Sequence, residues 1–312
     1  MIRYLRHTEI DTEKWDRCID RSVNGLIYAR PWYLDTVSPG WEALVEDDYA
    51  SVFPLTWASR CGVRYLRQPF FTQQLGLFSE RPLSQETVAA FLDAIPPRYR
   101  FAEIHLNSFN KVDAARFSAE IRRNHEMELV RNYDAIAAGY SQNTRRNIRK
   151  ATENGLSVRR KITPDELVTL FRENFGKKEG KLSYRDYVTI GDLMTRSLKN
   201  ASGILLGAGA GEAPPDAGAF FLADRNRFIF LFSASNMKTR DNGAMFLLID
   251  TFIREHSGRA LILDFEGGHD PNLGRFYKSF GASETGYPAV RINRFPPFFN
   301  AGLSLYKKLK SR

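Results

Sequence analysis

The sequence predicts an α/β protein of α+β character, in which helices flank mixed, mostly antiparallel sheets and two units share this texture. Three observations lead there. The chain has 312 residues, a length that suits two ordinary domains or one large one. Segments of helical period and of alternating period interleave along both halves. The charge is also divided. Residues 1–128 carry 16 Lys and Arg against 18 Asp and Glu, leaving 29 against 18 for residues 129–312, so the formal net charge of +9 arises in the second part. The expected division is a first domain at 1–128, a second at 129–300 carrying the site, and a basic helical tail at 301–312.

The first half opens with "MIRYLRHTEI", a strand, and "DTEKWDRCIDRS", a helix with an acidic first turn and Trp15, Cys18 and Ile19 at helical spacing. "LIYARPWYLDTV" is aromatic-rich and broken by Pro31. "ALVEDDYASVFPLTWASRCGVRYLRQPFF" alternates short β-prone runs with the turn signals "EDD" and "SRCG", as a meander of antiparallel strands does. "SQETVAAFLDAI" reads as a helix capped by Ser84, and "FAEIHLN" as a strand; the unit ends near "HEMELVRNYD".

The second half starts on "YSQNTRRNIRKATENGLSVRR", where Arg145, Arg146, Arg149, Lys150, Arg159 and Arg160 are opposed by Glu153 alone. Ser141 or Asn143 caps a helix here, Ile148 and Ala151 form its inner face, and "NG" at 154–155 ends it. Arg145 with Arg149, and Arg146 with Lys150, are i,i+4 pairs of like charge, which repel unless solvent screens them or an anion neutralises them. Then come "LSVRRKI" as a strand, "TPDELVTLFRENFGKK" and "YRDYVTIGDLMTRSLKN" as helices, and three strands, "GILLGAGAG", "AGAFFLAD" and "RFIFLFSAS". A helix "GAMFLLIDTFIREH", a strand "ALILDFEGG", a short helix "DPNLGRFYKSFGA", a final strand "AVRINR" and a basic amphipathic C-terminal helix complete the chain.

Composition narrows the function classes. Cys18 and Cys61 are too few and too scattered for a disulfide framework or a zinc site, and the five histidines are dispersed, so no metal is expected. No apolar run approaches the roughly 20 residues of a membrane span, and the start lacks the apolar core of a signal peptide, so the expected location is cytoplasmic. The basic second part calls for an anionic partner, against the alternative of a solvated basic surface. No "G-x-S-x-G" anchors a hydrolytic triad, and the "G-x-G-x-G" within "GAGAGEAPPDAG" reads as a hairpin.

The element order of the second half, two helices, three antiparallel strands, helix, strand, helix, strand, resembles the GNAT acyltransferase fold, in which a central strand splays from its neighbour to admit a thioester-bound acyl donor. "NTRRNIRKATENGLSVRR" resembles the basic helix and strand of the FemAB-type aminoacyl and acyl transferases, and "LILDFEGG…GRFYKSFGA" resembles their "D-F-x-G…F-K-x-x-F-G" end, with Asp264, Phe265, Gly267, Phe276, Phe280 and Gly281 matching. "IYARPWYL" and "QPFFTQQLG" look like the N-terminal domain of related bacterial proteins. The resemblance implies two tandem GNAT-like domains, an active cleft in or beside the second, and acyl-CoA or aminoacyl-tRNA as co-substrate. Two positions depart from the pattern. FemAB proteins often carry Lys directly after the Phe, where this chain has Tyr277 with Lys278 following; "F-Y-K" is instead the acetyl-transferring GNAT pattern, whose Tyr protonates the departing thiolate. The donor loop "[QR]-x-x-G-x-[GA]" is half present, with Arg240 and Gly243 matching and Met245 at the last position.

Direct acyl transfer to an amine needs a base for the amine proton, donors for the oxyanion and an acid for the leaving group. Asp264 and Glu266, expected to share one face of a strand, supply carboxylates, with His269 close by; Glu266 or His269 is the better base, and Asp264 has the competing roles of turn cap or arginine partner. Tyr277 is the candidate acid, expected to turn toward the cleft while Phe276 and Phe280 face the core; the competing role is an aromatic core residue. Gly243 and Ala244 open a helix whose amides suit a phosphate, aided by Arg240 and Lys238, unless Gly243 serves backbone freedom alone. Arg145, Arg149, Lys150 and Lys278 are the candidate contacts to a small anionic acceptor or to tRNA. The leading function is acyl or aminoacyl transfer to an amine of an anionic acceptor. A nucleic-acid-binding protein and a catalytically silent GNAT-fold protein are the competing readings. Base stacking wants exposed aromatics beside the arginines, and residues 141–161 have none.

Overall fold

The computed structural model describes residues 1–174, 182–211, 213–267 and 270–296. Two compact units are present, Met1–Arg122 with the chain from Tyr287 onward, and Arg123–Gly286. The second domain expected over 129–300 thus differs from the compact unit at its end, because the last strand returns to the first unit; the tail at 301–312 lies outside the described residues.

The first unit carries β1 (Ile2–Leu5), β2 (Glu42–Glu46), β3 (Ser51–Leu55), β4 (Trp57–Arg60), β5 (Val63–Leu66), β6 (Phe78–Ser79), β7 (Phe101–His105), the first residues of β8 (Ser118–Glu128) and the larger part of β14 (Ser283–Asn293). Strands β1-β2-β3-β6 form an antiparallel sheet, with Leu44 opposite Phe53. The expected meander is broken after β3: one residue, Thr56, separates it from β4, and β4-β5-β7-β14 lie in a different sheet, where β5 runs parallel to β7. Helix α1 (Thr12–Arg21) starts on Asp11, whose carboxylate accepts from the Glu13 and Lys14 amides. Its Trp15 is fully buried edge-on to Trp41 at 4.7 Å and donates its indole N–H to Ala29 O. Pro31 opens α2 (Pro31–Val37), as its fixed φ allows at a first helical position, and Ser84 caps α3 (Gln85–Asp93) as expected.

The second unit is built on the sheet order β8-β13-β12-β11-β10-β9, using β9 (Leu156–Arg159), β10 (Gly203–Ala210), β11 (Ala217–Asp224), β12 (Arg227–Ser235) and β13 (Ile262–Asp264). All neighbours are antiparallel except β12 and β13. The helices are α4 (Tyr133–Ala137), α5 (Gln142–Glu153), α6 (Pro164–Asn174), α7 (Tyr184–Lys199), α8 (Ala244–His256) and α9 (Pro271–Lys278). The core gathers around Phe221 and Phe252, stacked at 3.8 Å, with Leu248, Ile253, Phe265 and Phe280. Truncating either stacked ring to Ala costs about 3–5 kcal/mol by the usual cavity arithmetic. Mixed, mostly antiparallel sheets flanked by helices are thus present in both units. Among the described residues no helix is long and apolar enough to cross a membrane, and no cluster of three His, Cys, Asp or Glu side chains is placed to hold a metal ion.

Candidate active site

The parallel pair decides where a site can form. β12 and β13 are paired only from Arg227 opposite Ile262 to Ile229 opposite Asp264; β13 then stops while β12 continues to Ser235. The strands part at their carboxyl ends, the place where α/β sheets present ligand loops. β13 ends there for a local reason. Asp264 Oδ1 accepts the Glu266 amide at 3.0 Å, and Glu266 and Gly267 both take left-handed φ values, +51° and +67°. Asp264 and Glu266 therefore do not share a strand face, as sequence spacing suggested: a turn falls between them.

Asp264 is 1% exposed and fully engaged. Besides the Glu266 amide it accepts from Asn124 Nδ2 at 3.0 Å and from Arg227 Nη1 at 2.7 Å, and Arg227 also pairs with Glu126 at 2.8 Å. Burial pushes its carboxyl above the ordinary range, against Arg227, the Glu266 amide and Asn124. Both competing roles raised from the sequence, turn cap and arginine partner, are occupied at once. Glu266 is half-buried beside it.

Tyr277 lies opposite to expectation. It is 7% exposed, whereas Phe276 is only partly buried. Its ring stacks on Phe265 at 4.9 Å and meets Phe230 edge-on at 6.4 Å. Phe230 and Phe265 are the first residues beyond the last paired rung of β12 and β13, so Tyr277 fills the point where the strands part. Phe280 is buried as expected, but it lies beyond the end of α9 at Lys278 and so does not mark the buried face of the helix, which falls on Tyr277. Burial, then repulsion from Glu266, Asp264 and Asp270, pushes the Tyr277 hydroxyl well above its usual pKa, so it keeps its proton. Sequence reasoning passed over His125. It is 1% exposed on β8, with its ring 5.8 Å from that of Tyr277 and Nδ1 3.3 Å from Gly267 O, a contact that places the proton on Nδ1. Nothing in the local sequence marks it, because Gly267 lies 142 positions further along the chain. His269 lies outside the described residues.

The second cluster joins two sets of residues that the sequence treated separately. Gly243, at φ +86°, starts α8, and a Cβ built on it would lie 2.3 Å from Asn147 O of α5. Glycine is required because two helices touch there, which accounts for it without a ligand. Ala244 is buried and its amide donates to Asn242 Oδ1 at 3.0 Å, while Asn242 Nδ2 donates to Asp216 Oδ2 at 2.9 Å. The first amide of α8 is thus already satisfied, and Arg240 stands exposed beside it. Helix α5 is capped by Ser141 on the Thr144 amide, and Thr144 Oγ1 donates to Ser279 O at the end of α9. The helix is so pinned by its buried face that Arg145, Arg146, Arg149 and Lys150 all remain exposed. Arg145 donates to Ala138 O at 2.7 Å and Arg146 to Asn143 Oδ1 at 2.9 Å; among the described residues no carboxylate pairs with any of the four. Lys278 does not join them, since its Nζ is 2.6 Å from Glu284.

The arrangement offers a carboxylate and a protonated hydroxyl at the parting of two strands, and an unneutralised cationic face on α5, the helix whose Asn147 packs against Gly243. No protein-family model matches the chain, and no curated protein matches it in sequence. Among solved structures it is similar to FemX, with a TM-score of 0.65 at 14% identity over 90% of this chain and 96% of that one. It is similar to L-PGS from Bacillus licheniformis, with a TM-score of 0.55 at 11% identity over 97% and 98%. A C-terminal DUF2156 domain from Agrobacterium fabrum matches with a TM-score of 0.55 at 11% identity over 95% of each chain. The protein therefore shares its fold with FemX and with these two structures.

Proposed function

We propose that the protein transfers an acyl or aminoacyl group from an activated donor to an amine, with the site in the second unit at the carboxyl ends of β12 and β13. In this reading Glu266 accepts the proton released as the amine attacks the donor carbonyl. The hydroxyl of Tyr277, kept protonated by burial and by its acidic neighbours, donates a hydrogen bond to the developing oxyanion or a proton to the leaving group. Asp264 orients the Glu266 turn through its amide bond.

The observation that carries the donor assignment is the exposed cationic face of α5. Two features disfavour a donor held only at a helix N-terminus: the Ala244 amide is taken by Asn242, and α5 packs directly on Gly243. Four exposed cations without carboxylate partners suit a polyanion, so aminoacyl-tRNA is the favoured donor over acyl-CoA, with Arg145, Arg149, Lys150 and Arg240 as its phosphate contacts. An anionic acceptor is the alternative use of the same face. The test is a filter-binding assay with charged tRNA and with acyl-CoA, on the wild type and on Arg145→Ala/Arg149→Ala/Lys150→Ala. The reading expects tRNA binding that weakens steeply with salt and falls at least ~10-fold in the triple variant. Equal tRNA affinity in both proteins, or binding of acyl-CoA alone, would defeat it.

A further inference from the structure

A cavity of about 440 Å³ opens in the second unit beside the ends of β8 and β13. The register locates it: Glu126 stands opposite Asp264 at the end of β13, whereas Glu128 stands opposite Ile262 at its start, and the cavity continues past Glu128 to Arg131. Its size falls within the roughly 300–1,000 Å³ of small-molecule sites. The lining divides by depth. Met127, Ile136 and Phe280 line it and are buried, so the inner wall is apolar, while Glu128 and Arg131 are exposed at its mouth.

The charges set the ligand class. Glu126 is committed to Arg227 at 2.8 Å and to Asn124 at 3.2 Å. Glu128 and Arg131 line the same cavity, yet among the described residues neither forms an ion pair, with the other or with a third group. Their backbone is held rather than loose: the Leu129 amide donates to Leu261 O, the Arg259 amide to Leu129 O and the Gly258 amide to Arg131 O. A carboxylate and a guanidinium on a fixed segment thus line the same cavity as the buried Met127, Ile136 and Phe280.

We propose that this cavity binds a free α-amino acid with an apolar side chain. Glu128 takes the ammonium, Arg131 the carboxylate through a charge-assisted pair, and the side chain rests on Met127, Ile136 and Phe280. A simple anion would meet Glu128 with no compensating contact, and a simple amine would leave Arg131 unused. Glu126 also lines the cavity and is tied through Arg227 to Asp264, but the titration below reads amino-acid binding alone and does not depend on acyl transfer.

The experiment is calorimetric titration of the full chain at low salt with L-leucine, and with isopentylamine and 4-methylpentanoate as single-charge analogues. The expected result is saturable leucine binding, with each analogue at least ~10-fold weaker. Glu128→Gln and Arg131→Gln should each weaken leucine at least ~10-fold without altering the thermal midpoint, since both side chains are exposed and unpaired. No saturable leucine binding up to ~10 mM would overturn the proposal, because a dissociation constant near 1 mM would be visible there. So would amine binding as tight as leucine, or leucine binding indifferent to both substitutions.

Discussion

Gly243→Ala tests the contact that brings the basic helix onto the start of α8. The new Cβ would sit 2.3 Å from Asn147 O, 3.1 Å from its carbonyl carbon and 3.3 Å from Ala151 Cβ. Ordinary contact begins near 3.4 Å, so α5 and α8 must separate by roughly 1 Å, and the obstacle is backbone that cannot rotate away. Two costs add. An alanine at φ +86° carries about 1–2 kcal/mol of left-handed strain. Forcing two packed helices apart adds about 1–3 kcal/mol. Gly258→Ala separates the two, because Gly258 has φ +75° but no atom within 4 Å of a built Cβ, and so bears only the strain. For a unit of this size each kcal/mol lowers the melting temperature by about 2–4 °C, so Gly243→Ala should melt about 2–12 °C below Gly258→Ala. Thermal melts of the two variants, followed by circular dichroism, read this directly. If both variants melt together, α5 is not seated on Gly243, and the cationic face loses its assigned place.

Removing Arg227 as Arg227→Met should cost about 3–5 kcal/mol in urea unfolding, because Asp264 is left buried beside Glu126 without its cation; Arg227→Met/Asp264→Asn should recover much of that loss. Tyr277→Phe should leave stability nearly unchanged and lower turnover by about 10²–10⁴ with little change in Michaelis constant, whereas unchanged turnover would return the residue to a packing role alone. The first unit should weaken in mild acid through His105, whose pKa is pushed from 6.5 down to about 4 by burial and then by Arg122. The unfolded chain takes up this proton below about pH 6.5 and the folded chain only below about 4, so stability is present above pH 6.5 and drains away as pH falls to about 4, by on the order of 3 kcal/mol. His105→Gln should flatten that part of the pH–stability curve in urea titrations.

Local patterns in the sequence determined the elements that carry their own signals. Asp11, Ser84 and Ser141 announce helices because a short polar side chain next to a helical period satisfies free amides wherever the rest of the chain goes. The helix that follows β12 was likewise legible from its period, whereas the parallel pairing of β12 and β13 came only from the structure. The cationic face of α5 was legible as a run of residues, and its exposure followed from Ala151 and Thr144 turning inward. What the tertiary structure decided were the facts that depend on where an element stops and what it touches. β13 ends at Asp264 because a side chain accepts a backbone proton two residues on, and that single bond removes Glu266 from the face of Asp264. α9 ends at Lys278, two residues before the Phe280 on which the projection that sent Tyr277 outward relied. His125 reaches Gly267, Arg227 reaches Asp264 and Asn147 meets Gly243 across sequence separations that no periodicity encodes, since such contacts arise only when packed strands and helices bring distant side chains within a few ångströms.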